Sequence, residues 1–162
     1  MENSGERSLR TTSAQETRDL GAALGSCLKS GDLLILSGDL GAGKTTLVQG
    51  IAEGLGVEGR VTSPTYIIAR VHAGIGAAPD LVHVDAYRLD DELDLETIDL
   101  DSSIGSAVTV VEWGSGKAES LSDARLEVHL DFVSSSQEDC ERVVILRPVG
   151  SKWQSRVERM EL

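Results

Sequence analysis

Apolar residues recur along this chain in two rhythms. Short, nearly continuous runs occur at Leu33, Leu34, Ile35 and Leu36, at 81–84, interrupted by His83, and at 108–111, interrupted by Thr109. Such runs predict strands buried on both faces, as in a parallel sheet. The second and third runs each end in an acid, Asp85 and Glu112. A 3.6-residue rhythm marks two helices. Ser13 and Glu16 have capping-box spacing, after which Leu20, Ala23, Leu24, Cys27 and Leu28 share one face, with Gly31 as the stop. Leu47, Val48, Ile51, Ala52 and Leu55 form a second face ending at Gly56. Residues 65–71 read as β-rich, and 73–80, with two glycines and a proline, as a turn or hairpin connection. Strict alternation through Leu126, Val128, Leu130 and Phe132, then a strand over 142–146, predicts an antiparallel pair at the sheet edge. Residues 90–101 place seven acids among Leu93, Leu95, Ile98 and Leu100, a pattern for one or two short helices. The stretch around Trp153 reads as a short final helix. The organisation expected is a flexible tail over 1–12, one domain over 13–150 and a C-terminal tail over 151–162.

Between the first run and the second helical face lie Gly38, Asp39, Leu40, Gly41, Ala42, Gly43, Lys44, Thr45 and Thr46, which fit the phosphate-loop pattern G-x-x-x-x-G-K-[ST]. Strand, glycine loop and helix follow in the order that the pattern requires. Glycines let successive backbone N–H groups face phosphate oxygens, and the helix N-terminus adds partial positive charge. Lys44 adds a full charge, and the Thr45 hydroxyl is a ligand for Mg²⁺. The fold expected is therefore α/β: a P-loop NTPase fold with a mostly parallel central sheet flanked by helices and antiparallel strands near the C-terminus.

Such a site needs an acid at a neighbouring strand end, and two are on offer, Asp85 and Glu112. Residue pattern alone does not say which holds the metal and which orients water. Ser63 and Thr65, around Pro64, stand where a γ-phosphate-sensing segment would lie. His83 reads as a structural residue directed into or across the sheet, since no partner ligands are spaced for a metal. Arg88 is equally consistent with a phosphate contact or an ion pair with Asp90 or Asp91. The guanine-reading Asn/Thr-Lys-x-Asp element is missing, the only asparagine being Asn3, so ATP is favoured over GTP.

Net charge changes the picture of partners. A formal charge of -12 argues against direct grip on nucleic acid, which requires clustered Lys and Arg. Cys27 and Cys140 are far apart, and no disulfide framework is expected. No apolar stretch has the length of a signal peptide or membrane span, so a cytoplasmic protein is expected.

Four motifs in series carry a resemblance: Gly38 to Thr46; Ser63, Pro64, Thr65 and Tyr66; His83 through Val84, Asp85, Ala86, Tyr87 and Arg88 to Leu89; and Val111, Glu112, Trp113 and Gly114. In this order and spacing the chain, from about Ser13 to Val133, resembles the bacterial TsaE (YjeE) family. That resemblance implies a Mg²⁺-dependent ATPase serving the synthesis of threonylcarbamoyladenosine in tRNA. It implies two partners, TsaB and TsaD, with tRNA met only through the complex and ATP hydrolysis keeping that complex turning over. By position it assigns Lys44 to the β- and γ-phosphates, Thr45 and Glu112 to the metal, and Asp85 to the attacking water. Lys44, Asp85 and Glu112 are then the catalytic set, and 38–46 with Ser63 and Thr65 the nucleotide contacts. Thr46 and Trp113 match further marked positions, and the helix start over 13–17 matches the part near adenine. After Leu89 the sequence reads Asp90, Asp91, Glu92, Leu93, Asp94 rather than the family's commoner Asp-Pro-Glu-Glu. Competing readings are a nucleotide-gated assembly switch and a small-molecule kinase. The kinase would want an Arg-bearing lid, for which 116–124 is too short.

Overall fold

The buried runs become the middle of one seven-stranded sheet in the computed structural model, which describes residues 5–38, 41–59, 69–85, 105–113, 122–133 and 141–162. In chain order the strands are β1 (Arg7–Thr11), β2 (Leu33–Gly38), β3 (Ala69–His72), β4 (Asp80–Asp85), β5 (Ala107–Glu112), β6 (Arg125–Phe132) and β7 (Arg142–Val149). The described helices are α1 (Ala14–Gly25), α2 (Lys44–Leu55) and α3 (Ser151–Arg159). Across the sheet the order is β1-β7-β6-β2-β5-β4-β3. Strand β2 runs parallel to both β5 and β6, and β4 parallel to β5. The β6–β7, β7–β1 and β3–β4 pairs are antiparallel. The sheet is thus parallel at its centre and antiparallel at both ends.

Burial explains the two kinds of strand pattern. All six residues of β5 are buried, as are Leu33 to Leu36 and Leu81 to Val84, so these strands carry apolar side chains on both faces. In β6 only every second residue is buried, so Leu126, Val128 and Leu130 alternate with Glu127, His129 and Asp131. The buried face joins Leu34, Leu36, Val108, Val110 and the β6 leucines to Leu24, Leu47, Val48 and Ile51 of the helices.

Helix α1 starts as the sequence predicts: Ser13 Oγ accepts from the Glu16 N–H at 3.0 Å. The Glu16 carboxylate reaches back one residue further, to the Thr12 N–H at 2.9 Å. The helix ends sooner than expected, at Gly25 rather than Gly31: the Cys27 and Leu28 amides turn to the Leu24 and Gly25 carbonyls three residues back, and the chain then enters β2. Helix α2 stops at Gly56, whose φ of 88° is the left-handed conformation that ends helices.

Three expectations about the chain ends need correction. Residues 7–11, expected within a flexible tail, form β1 and pair along the whole of Leu146 to Arg142. Alternation is short there and diluted by arginine and serine, so the tertiary partner rather than the local pattern makes the strand. Consequently β6 and β7 do not end the sheet, since β1 covers β7. The segment 151–162, expected as a tail, carries α3, whose Trp153 and Val157, with Met160 after it, enter the main core. Its hold on the domain is ionic as well as apolar. Arg156 donates both Nη atoms to Asp32, at 2.7 and 2.6 Å, and Nη2 also donates to the Cys27 carbonyl at 2.9 Å. Arg7 of β1 caps the end of the helix, donating to the Met160 carbonyl at 2.6 Å.

At the opposite end, β3 and β4 form the expected hairpin. There His72 is buried, and its Nε2 has no hydrogen-bond partner among the described residues. Burial, then the neighbouring His83 ring, hold its pKa below the ordinary 6.5, against a smaller opposing bond to the Glu58 backbone, with Arg70 adding a still smaller lowering. The unfolded chain therefore takes up this proton at a pH where the folded chain resists it, and stability falls as pH drops below 6.5. The loss in melting temperature between about pH 7.5 and 5.5 is expected to be smaller in His72→Gln than in the wild type. Equal losses in the two proteins would show that His72 does not contribute.

Candidate functional site

The C-terminal ends of β2, β4 and β5 converge where a parallel sheet opens its crevice. At β2 the loop leaves through Gly38, with φ of 137°, and a Cβ there would run into the Leu130 carbonyl of β6. Only glycine lets the strand end lie this close to its neighbour. Gly41 and Gly43 follow, with φ of 80° and 103°, and Gly43 is the N-cap of α2. Lys44 begins that helix and is buried to 5% exposure. Its ammonium donates to the Gly38 carbonyl at 2.7 Å and lies 3.9 Å from the centre of the Trp113 ring. The lysine thus folds back onto the strand end from which the loop departs.

Trp113 reaches this position through an unusual backbone. Its φ of 62° is the only positive value among the described non-glycine residues. For a bulky side chain such a conformation costs on the order of 1–3 kcal/mol and is kept where surroundings enforce it. Here its N–H donates to the Leu36 carbonyl at 2.9 Å, which extends the β2–β5 ladder one residue past Glu112.

Two carboxylates flank the loop. Asp85 and Glu112 are opposite one another in the β4–β5 register, so both strand-end acids arise from one face of the sheet. Glu112 is 4% exposed and is held at both oxygens. The Thr45 hydroxyl donates to Oε1 at 3.3 Å, and the His83 imidazole bonds Oε2. Sequence reasoning set His83 apart as structural. In space it belongs to the site, and the signal available was its place two residues before Asp85 on the same face of a strand.

A cleft of about 110 Å³ opens beside the loop, lined by Ala14, Thr17, Gly41, Gly43, Thr46 and Arg142. The start of α1 therefore meets the glycine loop. Arg142 was not singled out from the sequence. It faces the cleft because β7 returns antiparallel to β6, opposite Phe132, with its guanidinium 4.1 Å from the Phe132 ring centre.

The predicted site residues thus divide by location. Gly38, Gly41, Ala42, Gly43, Lys44, Thr45 and Thr46 lie together at the end of β2 and start of α2, with Asp85 and Glu112 at the adjoining strand ends. Asp39, Leu40, Ser63 and Thr65 lie outside the described residues, as do Arg88, Cys140 and the acidic segment 90–101. The donor set near Glu112 is hard oxygen, a hydroxyl and carboxylates, and fits Mg²⁺. No cluster of three His, Cys, Asp or Glu residues suited to a protein-only metal cage occurs among the described residues. No described helix is long and apolar enough to cross a membrane.

Comparison with known proteins points one way. The model of the threonylcarbamoyl adenosine biosynthesis protein TsaE matches residues 11–143. A Streptomyces coelicolor protein, named tRNA threonylcarbamoyladenosine biosynthesis protein TsaE, is 53% identical over 84% of this chain and 93% of its own length. The Bacillus subtilis protein of the same name is 38% identical over 93% of this chain and 91% of its own. Among solved structures, the crystal structure of Bacillus subtilis YdiB superimposes with a TM-score of 0.77 at 30% identity, covering 96% of this chain and 93% of that one.

Proposed function

The chain belongs to the TsaE family of tRNA threonylcarbamoyladenosine biosynthesis proteins, and from that premise we propose that it binds ATP with Mg²⁺ and hydrolyses it. The useful outcome is continued turnover of a complex with TsaB and TsaD, met in the cytoplasm, with tRNA reached only through those partners. The observation that carries the nucleotide reading is the packing of one buried cation, Lys44, on the strand end from which the glycine loop departs and next to the Thr45–Glu112 pair.

Each residue has a task that its geometry suits. The amides after Gly41 and the start of α2 receive phosphate oxygens. Lys44 exchanges the Gly38 carbonyl for the β- and γ-phosphates, moving only the end of its side chain. Thr45 would hold Mg²⁺ through its hydroxyl oxygen while still donating its proton to Glu112, the direction in which it already donates. When bound, Mg²⁺ neutralises charge on the phosphate oxygens and orients them. Asp85, level with Glu112 across the ladder, accepts a hydrogen bond from the attacking water. Thr46 and the start of α1 line the cleft that takes the remainder of the nucleotide. An acidic chain that contacts partner proteins rather than tRNA is consistent with the net charge of -12.

Phosphate release should be slow for the chain alone and faster with both partners, docking being what sets Asp85 and the segment 63–66 for hydrolysis. Measuring inorganic phosphate with and without TsaB and TsaD tests this, and identical rates would remove the partner-dependent part of the reading. Release to water, with no phosphorylated small-molecule product, distinguishes it from a kinase. If a slowly hydrolysed ATP analogue sustained repeated rounds of tRNA modification, the assembly-switch alternative would replace it.

A further inference from the structure

We propose that His83 is a positioning residue for metal binding, holding the Glu112 carboxylate in place without touching metal or nucleotide; this rests on the ATP–Mg²⁺ reading above. The ring is fully buried, with 0% exposure, on β4. In register His83 stands opposite Val110 and Asp85 opposite Glu112, so the imidazole reaches diagonally along the sheet face to the strand-end acid. Its Nδ1 is buried and has no partner among the described residues. A proton on Nδ1 would be an unsatisfied buried donor, whereas on Nε2 it has the Glu112 Oε2 lone pair to receive it. The geometry therefore selects the Nε2–H form, with Nε2 donating to the carboxylate.

A purely packing role does not account for a polar ring here. On this face Leu81, Val108 and Val110 are all fully buried, with Arg70 opposite on β3, and a leucine or phenylalanine would pack against these aliphatic neighbours without an unmet nitrogen. What the imidazole adds is one directed bond to one oxygen. Glu112 needs it because glutamate has one more rotatable bond than aspartate, and that freedom must be lost before the carboxylate can serve a metal. The Thr45 hydroxyl holds Oε1 from the helix and His83 holds Oε2 from the sheet, so the carboxylate plane is set before any ligand arrives. Partners of this kind, one bond removed from the metal, tune affinity strongly.

The test compares the full-length wild-type chain with His83→Leu, similar in bulk but without a donor, and with His83→Gln, which restores an N–H. ATP binding is measured by calorimetry in EDTA and across a magnesium titration. In EDTA, His83→Leu should bind ATP as the wild type does, whereas its magnesium requirement should rise by about tenfold or more. His83→Gln should recover most of that shift. An unchanged magnesium requirement in His83→Leu would overturn the proposal. So would loss of EDTA binding alongside it, which is what a merely structural histidine produces, or an equal shift in His83→Gln. A wild-type chain whose ATP binding ignores magnesium would sink the parent reading instead. Imidazole ¹⁵N spectra of the wild type provide a measurement that no variant's misfolding can spoil. They should show a slowly exchanging Nε2–H and a bare Nδ1, and the opposite tautomer would refute the assignment.

Discussion

Lys44→Ala is expected to abolish detectable Mg·ATP binding and to lower phosphate release by at least about 10²–10³-fold, the scale lost when one preorganised charge-stabilising donor is removed. The size of the effect follows from location. The ammonium is buried between the Gly38 carbonyl and the Trp113 ring. In a water-poor site one positive charge acts on phosphate far more strongly than it would at the surface. Arginine should not rescue, because a planar fork does not fit the point-charge position between an indole face and a backbone carbonyl. Stability should change little, since the alanine variant also removes a buried charge that the folded chain must accommodate. Calorimetry, phosphate release and a melting curve on one preparation check all three. A variant that melts like the wild type yet still binds Mg·ATP would contradict the nucleotide assignment.

Gly50→Ala should destabilise the fold by about 2 kcal/mol, lowering the melting temperature by about 4–8 °C for a chain of this size. Helix propensity alone predicts the reverse, a gain of about 1 kcal/mol for alanine over glycine inside a helix. Packing decides the sign. A methyl group on Gly50 would overlap the Arg18 carbonyl of α1 and come within 3.0 Å of the Ala22 nitrogen. Those obstacles are backbone, so no rotamer change relieves them and the helices must move apart. Gly21, Gly25 and Gly54 make the same kind of approach, so the separation cannot be confined to one point. Because α2 carries Lys44 and Thr45, and α1 lines the adjoining cleft, ATP affinity should weaken as well. Gly105→Ala is the control, since a methyl there meets nothing within 4 Å, and its melting temperature should match the wild type. A Gly50→Ala protein as stable as that control would show that the interface yields.

Much of this was readable in one dimension because the relevant signals are local. A run of four apolar residues, a glycine loop and a lysine are contiguous, and their meaning depends on backbone conformation over about ten positions. The same holds for the Ser13–Glu16 cap, the Gly56 stop and the acids closing two buried strands. The misread elements have in common that their partners are distant. β1 exists because β7 pairs with it from more than 130 residues away, through contacts such as Arg10 to Glu141 at 3.0 Å. Likewise α3, expected as a short helix within a tail, is part of the domain because Trp153 and Val157 enter the distant core and Arg156 meets Asp32.

The site divides along the same line. The order of residues was enough to bring out the glycine loop pattern, Lys44, Thr45 and the acids Asp85 and Glu112 as candidates, because each proposed role needs a particular chemical group at a particular offset. It did not reveal that His83 bonds Glu112, that Trp113 covers Lys44, or that Arg142 borders the cleft. Those relations depend on strand register and on which edges become neighbours. Register is a property of paired strands, set when side chains from remote segments are buried together, and no single segment encodes it.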